Sequence, residues 1–158
     1  MINNNNNNIT IDKIIELLSN PDPDKELDLE DIKQILFKYT KLDYKKYISY
    51  NNQTYKKNII FSNDKFDLIL ICWKNGQETK IHDHPQKCCF FKILEGCLIE
   101  ENYLIKNNIP ILFGKSQLIS PSIGFKKSNT VLHKIIPIID TISLHIYMPG
   151  KYQPNYFN

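Results

Sequence analysis

The chain of 158 residues contains no alanine, no arginine and a single valine, Val131, while Ile, Asn and Lys abound. Because arginine is absent, all 20 basic residues are lysines, and no guanidinium fork is available to grip a carboxylate through two parallel bonds. No stretch approaches ~18 consecutive apolar residues, which excludes a membrane-spanning helix. Net charge is +3, and the lysines are scattered or paired, not ranged in a stripe with aromatics, which argues against a nucleic-acid partner. The opening MINNNNNNITID lacks the apolar core of a secretory signal. C-x-x-C spacing is missing too: Cys88 and Cys89 are adjacent and Cys72 and Cys97 stand apart, so a structural zinc site is disfavoured. A reducing cytoplasm is the expected compartment, with the four thiols acting as buried, reactive or supporting groups and not as disulfides.

What is present suits one domain, long enough to bury about 70% of the surface its unfolded form exposes. Residues 1–9 form a low-complexity, Asn-rich tail expected to be disordered, and 10–158 a single domain with its helices within 10–50. Thr10 is placed to cap a helix whose Ile11, Ile14, Ile15 and Leu18 share a face. After the linker PDPDKE, Asp28 opens a second helix, with Leu29, Ile32, Ile35 and Leu36 on one face and acids in its first turn. A Tyr/Lys-rich segment, YKKYISYNNQTY, follows. From about Asn58 the period changes to nine short β-branched or aromatic runs: NIIF, FDLILICW, ETKIHDH, CCFFKIL, CLIEENYLI, IPILF, KSQLI, TVLHKII and TISLHIYM. Pro, Gly or Asn separates most of them. This order predicts a mainly β, mostly antiparallel barrel or sandwich with a small N-terminal α-helical cap.

Chemistry concentrates in KIHDHPQKCCFF. On a strand over 79–84, His82 and His84 point one way and Asp83 the other, so two imidazoles are able to share one metal ion. Taken alone, the pair reads equally well as two surface histidines. The wider run is G-x5-H-x-H-x4-C-x6-G, from Gly76 to Gly96. Two further histidines, His133 and His145, lie on later runs. His133 shares its face with Val131 and Ile135; by itself it would be a satisfied core histidine, but an unpaired His-x-His elsewhere favours the ligand reading. Three neutral nitrogens leave an open coordination face of the kind used by two-His-one-carboxylate iron sites.

The run resembles the first motif of the cupin superfamily, with Cys89 where the usual pattern has a metal-binding Glu. That replacement, within ICWKNGQETKIHDHPQKCCFFKILEGCLIE, together with SLHIY at 143–147, resembles the cysteine dioxygenase family. The resemblance runs from about Tyr55 to Pro149. It implies a double-stranded β-helix (cupin) barrel and one Fe(II) per chain, held by His82, His84 and His133. It also implies a Cys89–Tyr147 pair able to form a thioether cross-link, with Ser143 and His145 orienting the Tyr147 hydroxyl and Trp73 packed nearby. Tyr55 matches a substrate-carboxylate residue, and Lys57 stands where the family has Arg. The implied reaction is oxidation of L-cysteine by O2 to 3-sulfino-L-alanine, in cysteine catabolism and the route to taurine, by a cytoplasmic monomer with no nucleic-acid or membrane partner. The rival readings are a dioxygenase for a related thiol such as 3-mercaptopropionate, and a metal-binding cupin of another kind, an isomerase or a ligand-binding protein.

Overall fold

Local signals start both helices. The computed structural model of the chain describes residues 9–21, 24, 27–127 and 131–158; the Asn run, most of the PDPDKE linker and the loop at 128–130 lie outside them. Helix α1 spans Ile11–Ser19, and the Thr10 hydroxyl oxygen accepts from the Lys13 amide at 3.2 Å. Helix α2 spans Leu29–Lys38 and opens on a capping box in which Asp28 and Asp31 each accept from the other's amide. Their apolar faces (Ile11, Ile14 and Leu18; Ile32, Ile35 and Leu36) are buried together. Ile9, placed with the tail by sequence, is buried and bridges Tyr39. The Tyr/Lys-rich segment contains a 3-10 helix, Asp43–Tyr47. Asp43 accepts from the Ile11 amide and the Tyr39 hydroxyl, both at 2.8 Å, and so ties that turn to both helices.

Among the described residues ten strands follow: β1 Lys56–Ser62, β2 Asp67–Trp73, β3 Ile81–His82, β4 Cys88–Glu95, β5 Cys97–Lys106, β6 Ile109–Ile119, β7 Ile123–Lys126, β8 Leu132–Pro137, β9 Thr141–Met148 and β10 Tyr156–Phe157. They form two antiparallel five-stranded sheets, ordered β1-β2-β9-β4-β7 and β10-β3-β8-β5-β6. Three details differ from the sequence reading. IPILF and KSQLI are one strand, because β5 pairs along all of it and a bulge at Asn102/Tyr103 absorbs the irregularity near Gly114. Only Ile81 and His82 of ETKIHDH join a ladder. The segments IGFK and YF, not among the nine runs, close the sheets as β7 and β10. Among the described residues, no helix is long and apolar enough to cross a membrane.

The near-continuous apolar runs of β2, β4 and β9 are explained by burial on both faces. Leu68, Leu70, Phe90, Leu144 and Ile146 pack outward against the helices. Ile69, Ile71, Trp73, Cys89, Phe91 and Ile93 point inward between the sheets. Gly124 lies opposite Phe91 in the β4–β7 pairing, where a Cβ would run into the Phe91 ring. The outward-facing Lys92 is buried, and its ammonium donates to the carbonyls of Leu36, Phe37 and Tyr39 at 2.9, 3.3 and 2.6 Å, closing the end of α2. Lys92→Met keeps the length of the side chain and removes all three donors. It is expected to cost about 2–4 kcal/mol of unfolding free energy, read as a lower urea midpoint at an unchanged slope.

Candidate active site

Between the sheets, strand register decides which side chains meet. His82 and His133 are direct cross-strand partners on β3 and β8. His84 is off the ladder, and the chain after β3 carries it back so that its ring centroid lies 4.2 Å from that of His133. Among the described residues these three form the one such cluster, with ligand atoms all within 4.8 Å of one another. Asp83 is turned away, as strand alternation predicts, and accepts from Tyr152 and Asn155 instead.

The protonation states follow from the partners. Burial lowers the pKa of all three imidazoles, helped for His84 by its neighbours His133 and His82, so the rings are neutral near pH 7. His82 Nδ1 faces the Lys80 carbonyl at 2.8 Å, and His133 Nδ1 faces a Glu100 carboxylate oxygen at 2.8 Å; both must therefore be N–H donors. The two Nε2 atoms, left with bare lone pairs, face each other at 3.1 Å. Two such lone pairs repel unless a cation lies between them. Both ring nitrogens of His84 are buried without a protein partner. An imidazole trio with this tautomer pattern fits a single metal ion held through neutral nitrogen.

Glu100 had no place in the sequence reading. It is buried, and its second oxygen accepts from the Lys126 ammonium at 3.0 Å. The usable signal was period two: Leu98 points inward on β5, so Glu100 does too, an acid on the face of an otherwise apolar run.

The opposite wall comes from the first sheet. Cys89 on β4 and Tyr147 on β9 are direct cross-strand partners on the inner face of the first sheet. Burial pushes both pKa values up, so both are protonated near neutral pH. Cys88, on the other face of β4, packs under the helices. Ser143, His145 and Tyr147 share the inner face of β9. The Trp73 indole donates to the Ser143 oxygen at 2.8 Å, Ser143 meets His145 Nε2 at 2.8 Å, and His145 Nδ1 stands a long 3.5 Å from the Tyr147 hydroxyl. Burial, with Lys57 and His82 adding, lowers the His145 pKa to about 3, so this ring is neutral as well. Phe91 stacks on it at 5.2 Å, which gives the close approach at Gly124 its purpose. Tyr55 stacks on Trp73 at 4.7 Å. Lys57, an exposed residue overall, sets its ammonium 5.8 Å from the centre of the Tyr147 ring, where desolvation lowers its pKa. All ten side chains singled out by sequence lie in this region; His84 and Ser143 are not among those that line the pocket surface, and the others are. Pro154 and Tyr156, from the C-terminal segment, line it too and were not foreseen.

The family model described as cysteine dioxygenase type I matches residues 3–158. Cysteine dioxygenase type 1 of Bos taurus is 28% identical over 153 residues, covering 89% of this chain and 74% of that protein. The Homo sapiens protein of the same name is 27% identical over the same extents, and that of Danio rerio is 26% identical over 152 residues, with 89% and 75% covered. Two solved structures share the fold at low identity. A conserved Klebsiella pneumoniae protein with a double-stranded β-helix domain has a TM-score of 0.57 and 16% identity, covering 72% of this chain and 87% of its own. A cupin superfamily protein from Desulfitobacterium hafniense has a TM-score of 0.52 and 13% identity, covering 64% and 83%. With a family match over nearly its whole length, and a three-histidine cluster facing a Cys–Tyr pair inside a cupin barrel, the chain belongs to the cysteine dioxygenase type I family of enzymes.

Proposed function

We propose that this protein oxidises L-cysteine with O2 to 3-sulfino-L-alanine, adding both oxygen atoms to sulfur, as a cytoplasmic step of cysteine catabolism towards taurine. The observation that carries the proposal is the pair of facing, proton-free Nε2 atoms of His82 and His133 set across the barrel from the Cys89–Tyr147 pair. His82, His84 and His133 would hold one Fe(II). When bound, iron supplies the redox chemistry and keeps the substrate thiol deprotonated.

The chain's own residues bind and orient. The Lys57 ammonium and the Tyr55 hydroxyl line the pocket as carboxylate donors. A Ser143 hydroxyl that accepts from Trp73 donates to His145 Nε2, which leaves the His145 Nδ1–H facing the Tyr147 oxygen. The Tyr147 proton is then free to point into the pocket, where it donates to substrate or oxygen. The Cys89–Tyr147 contact holds that phenol in one rotamer, and a thioether between the two would make the restraint permanent. Lys57, in place of the family's arginine, keeps the charge and gives up the bidentate fork; the retained charge favours the amino-acid thiol, and a changed substrate, a mercapto acid without the amine such as 3-mercaptopropionate, is the second reading.

The test is oxygen uptake by iron-loaded protein, with sulfinate measured by mass spectrometry for L-cysteine and 3-mercaptopropionate in parallel. One sulfinate per O2 from cysteine, abolished in His133→Ala, is the expected result. Sulfinate from 3-mercaptopropionate alone would move the assignment to the second reading, and none from either thiol would overturn both.

A further inference from the structure

The residues after β9 turn back across the mouth of the pocket, and Asp83 fastens them there. Asp83 is 4% exposed, and its carboxylate accepts from the Asn155 amide at 2.8 Å, from the Asn155 side-chain amide at 2.7 Å and from the Tyr152 hydroxyl. The Asp83 amide donates to the Asn155 carbonyl at 3.2 Å. One buried acid, lying in sequence between two of the clustered histidines, thus spends its hydrogen-bonding capacity on a strap some 70 residues away. The consequence is the β10–β3 register, which sets Tyr156 opposite His82 with ring centroids 6.3 Å apart. There Tyr156 lines the same pocket as Tyr55 and Lys57.

We propose that Tyr156 is a specificity-determining residue that binds the carboxylate of a thiol substrate together with Tyr55 and Lys57, and that Asp83 is the positioning residue that holds it there. The inference rests on the reading that the substrate is a carboxylate-bearing thiol. A carboxylate offers two oxygens with about four acceptor sites, while a lysine ammonium is a point charge that fixes no plane. Two phenol hydroxyls beside that ammonium supply the directional donors that the arginine-free chain lacks. The pocket volume of about 20 Å³ is close to one water, so the Tyr55 and Tyr156 side chains that line it must move apart for a substrate to enter. Tyr156 is 53% exposed, so removing its hydroxyl leaves the core untouched.

Anaerobic calorimetric titration of the iron-loaded protein with L-cysteine and with 2-aminoethanethiol, which keeps thiol and amine but lacks the carboxylate, tests this. Tyr156→Phe is expected to weaken cysteine binding about 10-fold and to leave 2-aminoethanethiol binding unchanged. Asn155→Ala, which loosens the strap without touching the pocket, is expected to reduce the same selectivity ratio by a smaller factor. Wild-type selectivity for cysteine that persists in Tyr156→Phe overturns the role of Tyr156 and leaves the carboxylate-thiol reading standing, as does an equal loss for both thiols. A wild-type protein that binds both thiols equally, or neither, overturns that reading and the role of Tyr156 with it.

Discussion

His84→Leu is expected to make the metal-free protein more stable and, in the same variant, to abolish stabilisation by iron. A core histidine usually loses stability on replacement, because its ring nitrogens hold hydrogen bonds. Here both nitrogens are buried without a partner, and a buried group in that state costs about 1–3 kcal/mol. Leucine fills similar space with no polar atom to satisfy. The metal-free variant should gain about 1–2 kcal/mol, a rise of roughly 2–8 °C in Tm for a domain of this size. The wild type should gain about 2.7 kcal/mol when free iron stands at 100 times Kd, and the variant nothing. Paired melts with and without iron read both effects. A metal-free variant less stable than the wild type would mean that the imidazole is satisfied in the native fold, and would remove the main argument that the site is shaped for a metal.

The sequence carried the parts of this site that obey a short period. His133, Cys89 and the Ser143–His145–Tyr147 row sit on strands, where alternation alone assigns the inward face, and each occupies the face expected of it. Cys88 and Cys89 were separable by the same rule, since one face of β4 meets the helices and the other the barrel interior. His84 reaches the cluster for a different reason: the ladder ends at His82, and the loop, not the pleat, returns it to its neighbours. Glu100 was hidden because the identity of an acid says nothing about its burial until a lysine and a histidine are found on either side of it, 26 and 33 residues further on. The strap was hidden more completely. A two-residue strand has no periodicity, and its register is dictated by Asp83, whose role as a carboxylate facing away from the cluster could be inferred while its partners could not.

Glu100→Gln separates two jobs that a single carboxylate performs. One is to fix His133 in the tautomer that presents Nε2 to the cluster and to raise the donor strength of that nitrogen, a role whose removal from metal-binding histidines typically costs 10–100-fold in affinity. The other is to neutralise Lys126, whose side chain is 12% exposed against 6% for Glu100. Breaking such a pair from one side leaves a nearly buried charge and costs about 3–5 kcal/mol. Glutamine keeps the shape and one acceptor oxygen, and loses the charge that serves both. Iron affinity, measured by chelator competition, is expected to fall 10–100-fold, with a lower urea midpoint in the metal-free protein. Adding Lys126→Met removes the stranded ammonium, so the double variant should recover stability and not affinity. Recovery of both would reduce Glu100 to a counter-ion for Lys126, with His133 held by the barrel alone. Recovery of stability without affinity would place a carboxylate behind the third histidine, compensating within the barrel for the glutamate that the cupin motif gives up at Cys89.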